Sequence, residues 1–494
     1  MSSRASLPFL VPVLLALGGC LLGPNYSRPA ADAPATYRFA AGETAETANT
    51  AWWEQFNDPV LNDLIAAALA GNKDVKIAAA RVDQFLGQFA TTRAGLFPQV
   101  AAGFDAQRQR ASVAGLPTLP AGVSPVFNTL EPTLSASWEI DVFGKVRRET
   151  EAARASLLAS EEGRRATILS LVASVATSYI NLRDLDQQLD IAKTTTESRA
   201  ESVQVFTARF KGGDVSQMEL AQSQSEYEAS LATIPQLEAQ IAQQEDALSI
   251  LLGRNPGDII RGRAISDLAM PAIPAGLPSD LLERRPDLLQ AEQNLVAANA
   301  LIGAARALYF PSISLTGLFG SASGEFSKLF TGPARIWAFA GSVTMPIFTA
   351  GSISGQVRQA EAQQQQALFQ YQQAIQSAFQ EVDDALISVQ KSREQLVIQQ
   401  RQVDALRTYA RLARLRFEGG YTSYIEVLDA ERSLFNAQLS YTQTNGVVFN
   451  SLVALYKAMG GGWVVTAEQM TQKSPQQEGS AQPKTGDSLA ELPR

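Results

Sequence analysis

The chain has 494 residues, 46% of them hydrophobic and only 18% charged, with a formal net charge of -8, no histidine and one cysteine. The acidic balance argues against a nucleic-acid binder, which carries a basic face. Without histidine the commonest general base and metal ligand is missing, and a single cysteine gives neither a disulfide nor a thiolate cluster. No nucleophile and base pair or phosphate loop takes their place, so no enzymatic activity, cofactor or metal is expected.

In chain order, Arg4 and the apolar run Leu7 to Leu17 read as a secretory signal over residues 1–19, too short to span a membrane as a helix. The run ends Leu17-Gly18-Gly19-Cys20, which resembles a bacterial lipobox. Cys20 is therefore expected to be the lipidated first residue of the mature chain, against the plainer alternative of an ordinary signal with a coincidental cysteine. Leu21 at the next position is compatible with delivery to the outer membrane. Residues 20–50, rich in Ala, Pro and Thr, predict an extended strap. Trp52, Trp53, Phe56 and Asp58-Pro59 open the folded part, and Leu61 to Arg93 predicts a helix.

After Phe97-Pro98 the hydrophobic period changes to two. Val100, Ala102, Phe104 and Ala106 alternate with polar neighbours, and Leu134, Ala136, Trp138, Ile140 and Val142 alternate with Thr133, Ser135, Ser137, Glu139 and Asp141. The same pattern follows Phe310-Pro311, with Ile313, Leu315 and Phe319 and then Trp337, Phe339, Val343 and Met345. The hairpins are placed at 97–142 and 310–347, with outer connections Ala111 to Thr129 and Ser321 to Ala334. Strands of about ten residues with one apolar and one polar face fit a membrane barrel in which lipid-facing and lumen-facing residues alternate. A soluble sheet buried on one face is the competing reading, but no segment offers a matching helical cover. Four strands cannot close such a barrel, because single-chain barrels begin at about eight.

Each hairpin leads into a long helix, 144–210 and 351–417, a Gly-Gly turn, and a shorter helix, 215–252 and 422–459. In the second copy apolar residues step by seven through Leu368, Ile375, Val382, Val389, Leu396, Val403, Ala410 and Phe417. Tyr371, Ala378, Ala385, Leu406 and Ala413 half fill a second seam, broken by Ser392 and Gln399. A strict heptad demands partner helices in a left-handed supercoil, and the helix spans on the order of 100 Å. An offset of 207 superposes Phe417-Glu-Gly-Gly on Phe210-Lys-Gly-Gly and Gly351 on Gly144, while Arg306-Ala-Leu-Tyr-Phe-Pro repeats Arg93-Ala-Gly-Leu-Phe-Pro at 213. The chain is thus a tandem duplication: residues 51–253, a linker at 254–278, residues 279–463 and a polar tail at 464–494. Pro235 interrupts the first shorter helix and predicts a bend there.

The lipobox, Gly23-Pro24-Asn25-Tyr26-Ser27-Arg28-Pro29, the paired Trp before Asp58-Pro59, Arg285-Pro286-Asp287-Leu288 and Tyr424-Ile-Glu-Val-Leu-Asp429-Ala together resemble the TolC-like outer membrane efflux factors, closest to the lipoprotein branch serving RND pumps. The resemblance implies an α+β membrane protein. Three chains of four strands would form a twelve-stranded outer-membrane barrel, continued by a periplasmic helical barrel with a small mixed equatorial region. It implies as partners two further chains, a periplasmic adaptor, an inner-membrane RND transporter and outer-membrane lipid. The tips at Gly212, Gly213, Gly419 and Gly420 would face the adaptor and close like an iris. Ile425 matches the apolar constriction, and Glu426 and Asp429 match acidic rings; Glu219 aligns with Glu426, whereas Gln222 stands in the place of Asp429. The family's locking arginine after the turn is Thr422 here, leaving contacts near Arg416, Tyr421 and Ser423 to serve. Without the resemblance, the acidic pair reads as a solvated helix start favoured by the dipole. The alternatives are a structural coiled-coil lipoprotein, which leaves the strands without a purpose, and a channel of the same family for type I protein secretion.

Overall fold

The computed structural model describes residues 21–30, 34–39, 51–112, 124–273, 278–460 and Val464. Cys20 and the signal lie outside the described residues, as does most of the tail. After a 3-10 turn at Trp52–Phe56 the helices are α1 (Pro59–Gly71), α2 (Lys73–Ala94), α3 (Lys145–Gly212), α4 (Gln217–Leu251), α5 (Leu281–Arg284), α6 (Pro286–Ala307), α7 (Ser352–Glu418) and α8 (Tyr424–Ala458). The strands are β1 (Gln99–Arg110), β2 (Val126–Ile140), β3 (Ser312–Ser321) and β4 (Arg335–Thr344). The chain divides into two compact units. One is built from Met1–Ala30, Ala80–Glu161 and Gln290–Gln372, the other from Ala31–Ala79, Glu162–Leu289 and Gln373–Arg494.

The first unit holds the sheet, antiparallel throughout in the order β1-β2-β3-β4. The registers put Val100, Ala136, Gly317 and Phe339 in one row and Phe319, Leu134 and Trp337 in the next row of the same face. Ser135, Thr133, Ser314 and Ser342 occupy the other face, where the Ser314 and Ser342 hydroxyls meet at 2.7 Å. The β1–β2 pairing extends to Arg110 opposite Val126, so the connection between these strands is shorter than the Ala111 to Thr129 expected from alternation. Pro132 is accommodated within the longer strand. It lies opposite Phe104 one residue beyond the β2–β3 ladder, which ends at Thr133 and Gly320, so no bond from its nitrogen is needed.

In the same unit the N-terminal strap is held by a buried arginine. Arg148 of α3, 1% exposed, donates to the Leu22 carbonyl at 2.9 Å, to Asn25 Oδ1 at 2.9 Å and to Glu151 at 2.8 Å. Gly23 adopts φ +90 against Gly303 of α6, where an added Cβ would lie 2.4 Å from the Gly303 Cα. Further along, Arg28 and Tyr26 both donate to Glu292, at 2.8 Å and 3.0 Å.

The second unit contains the main apolar core, in which Trp52, Phe56, Leu61 and Ile65 pack with Ile168 to Leu182 of α3 and Phe449, Val453 and Tyr456 of α8. Trp52 stacks on Tyr456 at 5.2 Å. Asp58, fully buried, caps α1 through the Val60 amide at 3.0 Å and accepts from the Tyr179 hydroxyl at 2.7 Å and the Arg263 amide at 3.0 Å. The helix expected over Leu61 to Arg93 is broken at Asn72. Its Oδ1 accepts from the Asp74 and Val75 amides at 2.8 and 3.1 Å, starting α2 afresh, while its amide donates to the Leu251 carbonyl at 2.9 Å. The end of α4 is thereby spliced to the start of α2. The second copy repeats the joint at equivalent positions with other chemistry: Arg285, preceding Pro286, donates to the Ala458 carbonyl at 3.1 Å and binds Asp287 at 2.6 Å and Glu381 at 2.7 Å.

Candidate functional site

The Gly-Gly turns fall in the second unit. Both close in the same way: the Asp214 amide reaches back to the Arg209 carbonyl at 2.9 Å and the Tyr421 amide to the Arg416 carbonyl at 2.9 Å, with Gly213 at φ +82 and Gly420 at φ +76. This six-to-one bond with a left-handed residue is the usual glycine stop of a helix, and the second glycine of each pair supplies the left-handed backbone. Gly212 and Gly419 precede it; a Cβ at Gly419 would meet the Tyr421 ring at 2.9 Å.

Beyond the turns the two copies share the sequence Ser-x-x-Glu but use it differently. In the first, Ser216 Oγ accepts from the Glu219 amide at 3.2 Å and Glu219 Oε2 accepts from the Ser216 amide at 2.8 Å, a complete capping box. In the second, Glu426 turns away from Ser423. It accepts from Arg416 of α7 at 3.2 Å and from the Thr422 hydroxyl. Arg209, the counterpart of Arg416, instead lies over the Phe417 ring at 5.9 Å. Thr422 and Arg416 together thus join the last turn of α7 to the first turn of α8, at the position where the resemblance predicted a locking arginine.

Tyr424, Val427 and Ala430 form the inward face of α8 here, buried against Phe206, Ala410 and Ala413. The Tyr424 ring lies 4.0 Å from Phe206 and 5.2 Å from Phe417, and burial raises its phenol pKa. Residues one turn apart on the other side of the helix stay open: Ile425 is 59% exposed, and Asp429 is exposed and pairs with Arg432 at 3.1 Å. Ile425, Asp429 and Arg432 therefore form one outward stripe with helical spacing, while Glu426 belongs to the turn. Arg432, which sequence reasoning left out, was detectable from its i,i+3 spacing to Asp429. The aromatic cluster around Phe206 was not, because it joins residues more than two hundred positions apart.

No helix among the described residues is long and apolar enough to cross a membrane, and no group of three or more Cys, Asp or Glu is placed to hold a metal ion. Phe104, Phe319, Trp337, Phe339 and Val343 are large exposed apolar side chains on one face of the sheet. Such a face in contact with water would be strongly unfavourable, and in lipid it is satisfied.

A family model described as outer membrane efflux protein matches residues 64–254 and 277–461. The toluene efflux pump outer membrane protein TtgC of Pseudomonas putida is 36% identical over 477 residues, covering 95% of this chain and 98% of that one. The cation efflux system protein CusC of Escherichia coli is 36% identical over 469 residues, covering 94% and 100%. Among solved structures, the open state of the MtrE outer membrane channel of Neisseria gonorrhoeae superposes with a TM-score of 0.81 at 32% identity, over 90% of this chain and 99% of that one.

Proposed function

This chain belongs to the outer membrane efflux protein family, and we propose on that premise that it acts as a homotrimeric exit duct, receiving substrates from an inner-membrane RND pump through a periplasmic adaptor. The relatives are outer-membrane channels of efflux pumps, and this chain is one in the same sense. The observation carrying the trimer is the four-stranded sheet, whose apolar face suits lipid while β1 and β4 are left as open edges. Open edges do not occur in hydrocarbon, so further copies must complete the ring. Acyl chains on Cys20 would anchor each chain, and the grip of Arg148 on Leu22 and Asn25 supports this by holding the strap two residues from that cysteine.

The aperture lies at the Gly-Gly tips, where Gly212, Gly213, Gly419 and Gly420 meet the adaptor. Three copies of Ile425 narrow it and three copies of Asp429 supply an acidic ring, which attracts cations and repels anions. Glu426 holds the resting tip through Arg416 and Thr422, and Glu219 stabilises the neighbouring helix start. Relatives of equal identity are named for toluene and for cations. That spread fits a duct that conducts what its pump delivers, with the substrate chosen elsewhere.

Single-channel recording in planar bilayers tests the reading. The wild-type trimer is expected to give small, cation-selective steps, and Glu426→Ala with Asp429→Ala to enlarge them severalfold and weaken the selectivity. A wild type that does not conduct would remove the duct, and a mutant indistinguishable from it would remove the acidic gate.

A further inference from the structure

The four strands carry six charged side chains, and the pleat sorts them by sign. Asp105, Glu131 and Glu139 lie on the serine and threonine face, with Asp105 directly opposite Glu131. Arg108, Arg110 and Arg335 lie on the apolar face: Arg108 and Arg110 follow Phe104 at even spacing along β1, and Arg335 precedes Trp337 by two on β4. All three arginines are exposed and none pairs with a carboxylate among the described residues. Lys328, the next base in the β3–β4 connection, is by contrast matched by Glu325 at 2.9 Å.

Their place along the strands is equally one-sided. β1 leaves α2 at Gln99 and ends at Arg110, whereas β4 begins at Arg335 and runs back towards α7. The three arginines therefore stand in the half of the sheet remote from the helices, Arg110 in the last row of β1 opposite Val126 and Arg335 at the first residue of β4 opposite Ser321. In the duct reading, on which this inference rests, that is the outer-leaflet end. β1 and β4 are also the two edges, so closing the ring brings Arg108 and Arg110 of one copy to the same seam as Arg335 of the next. Like charges collected at a lipid boundary without a carboxylate repel one another unless an anion joins them. Guanidinium groups bind phosphate oxygens in a bidentate manner and do so best where water is partly excluded.

We propose that Arg108, Arg110 and Arg335 form a site at each subunit seam for the phosphate groups of an outer-leaflet glycolipid of the lipid A class. A general preference of arginine for the membrane interface would scatter the three around the sheet. A phosphate site requires them on one face, at one end and on the two strands that meet.

The test is titration of the purified detergent-solubilised trimer with bisphosphorylated lipid A, with bound lipid counted by native mass spectrometry. Wild type is expected to hold about three lipids per trimer. R108Q/R110Q/R335Q is expected to bind about tenfold more weakly, a triple lysine variant to retain most of the affinity, and dephosphorylated lipid A to bind both forms equally weakly. Equal binding by wild type and the glutamine variant overturns the site, and so does displacement of the lipid by millimolar inorganic phosphate, which would assign the arginines to free anions. Conductance of the glutamine variant reports its assembly. Should it not assemble, R335Q alone carries the test, with a loss of about threefold expected and no loss overturning the site. A wild type that neither trimerises nor conducts removes the duct reading and this assignment together, whereas a conducting trimer indifferent to the substitutions removes this assignment only.

Discussion

Asp184 of α3 is half-buried at the crossing with α8, where Gly446 lets the two helices approach. A Cβ at Gly446 would lie 3.4 Å from the Asp184 carboxyl carbon. One carboxylate oxygen accepts from Gln188 at 2.9 Å and the other has no hydrogen-bond partner. Burial pushes the Asp184 pKa up to about 6, only partly opposed by the Gln188 bond. An unfolded aspartate titrates near ~3.9, so between roughly pH 4 and 6 the folded chain keeps a proton that the unfolded chain releases. Stability is therefore present below that window and lost as the pH rises through it. Asp184→Asn is expected to remove the slope and to stabilise each chain by up to about 3 kcal/mol at neutral pH. Thermal unfolding of both proteins from pH 4 to 8 decides: parallel profiles would show that the carboxylate is relieved in the assembled trimer. The residue scale is also where sequence reading reached least far. Ser216-x-x-Glu219 and Ser423-x-x-Glu426 are the same motif, each preceded by an arginine at the same place on the long helix, yet one glutamate caps and the other locks, because Arg209 lies over the Phe417 ring and Val215 stands where Thr422 supplies a hydroxyl.

Elements were more legible than single residues, because period is a property of many positions together. The heptad of α7 is realised as a buried stripe through Ile375, Val382, Val389, Val403 and Ala410, and in the second seam Ser392 is buried with its hydroxyl bonded to the Ser388 carbonyl at 2.7 Å. In α3, where Ile168, Val175 and Leu182 keep the same step of seven, burial goes further than that step: from Ile168 to Leu182 a second face is covered by Trp52, Phe56 and Ile65, partners that local period does not reveal. The helix joints were hidden for a related reason. Asn72 and Arg285 occupy equivalent places in the repeat, yet one is a small amide and the other a long cation, and both serve to receive the last carbonyl of a shorter helix. Arg285→Met should leave the Ala458 carbonyl and two carboxylates unmatched. Since Asp287 and Glu381 are about half exposed, the cost should be about 1–3 kcal/mol. Hydrogen exchange should speed up in the last turn of α8 and the first turn of α6 while the amides around Asn72 keep their protection. Unchanged exchange at both joints would mean that Pro286 and packing alone hold the second splice.

At the scale of the whole molecule, the decisive quantity is the unpaired backbone of the sheet. β1 has twelve residues and β4 ten, each paired on one side only. About half the backbone groups of an edge strand point outward, so on the order of ten N–H and ten C=O groups per chain lack partners, each costing several kcal/mol in hydrocarbon. That sum exceeds the ~5–15 kcal/mol by which a typical folded domain is stable. A single copy therefore cannot hold this sheet in a membrane, whereas its helices carry their own hydrogen bonds and a separate apolar core. Strand formation and assembly should consequently be one event, while helix formation should precede it. On dilution in detergent below the assembly threshold, infrared absorption of the strands should fall together with the trimer mass, and the helical circular dichroism should stay close to its starting value. A monomer that keeps its full strand signal in lipid would mean that the edges find partners within one chain, and the ring of copies would then have to be abandoned.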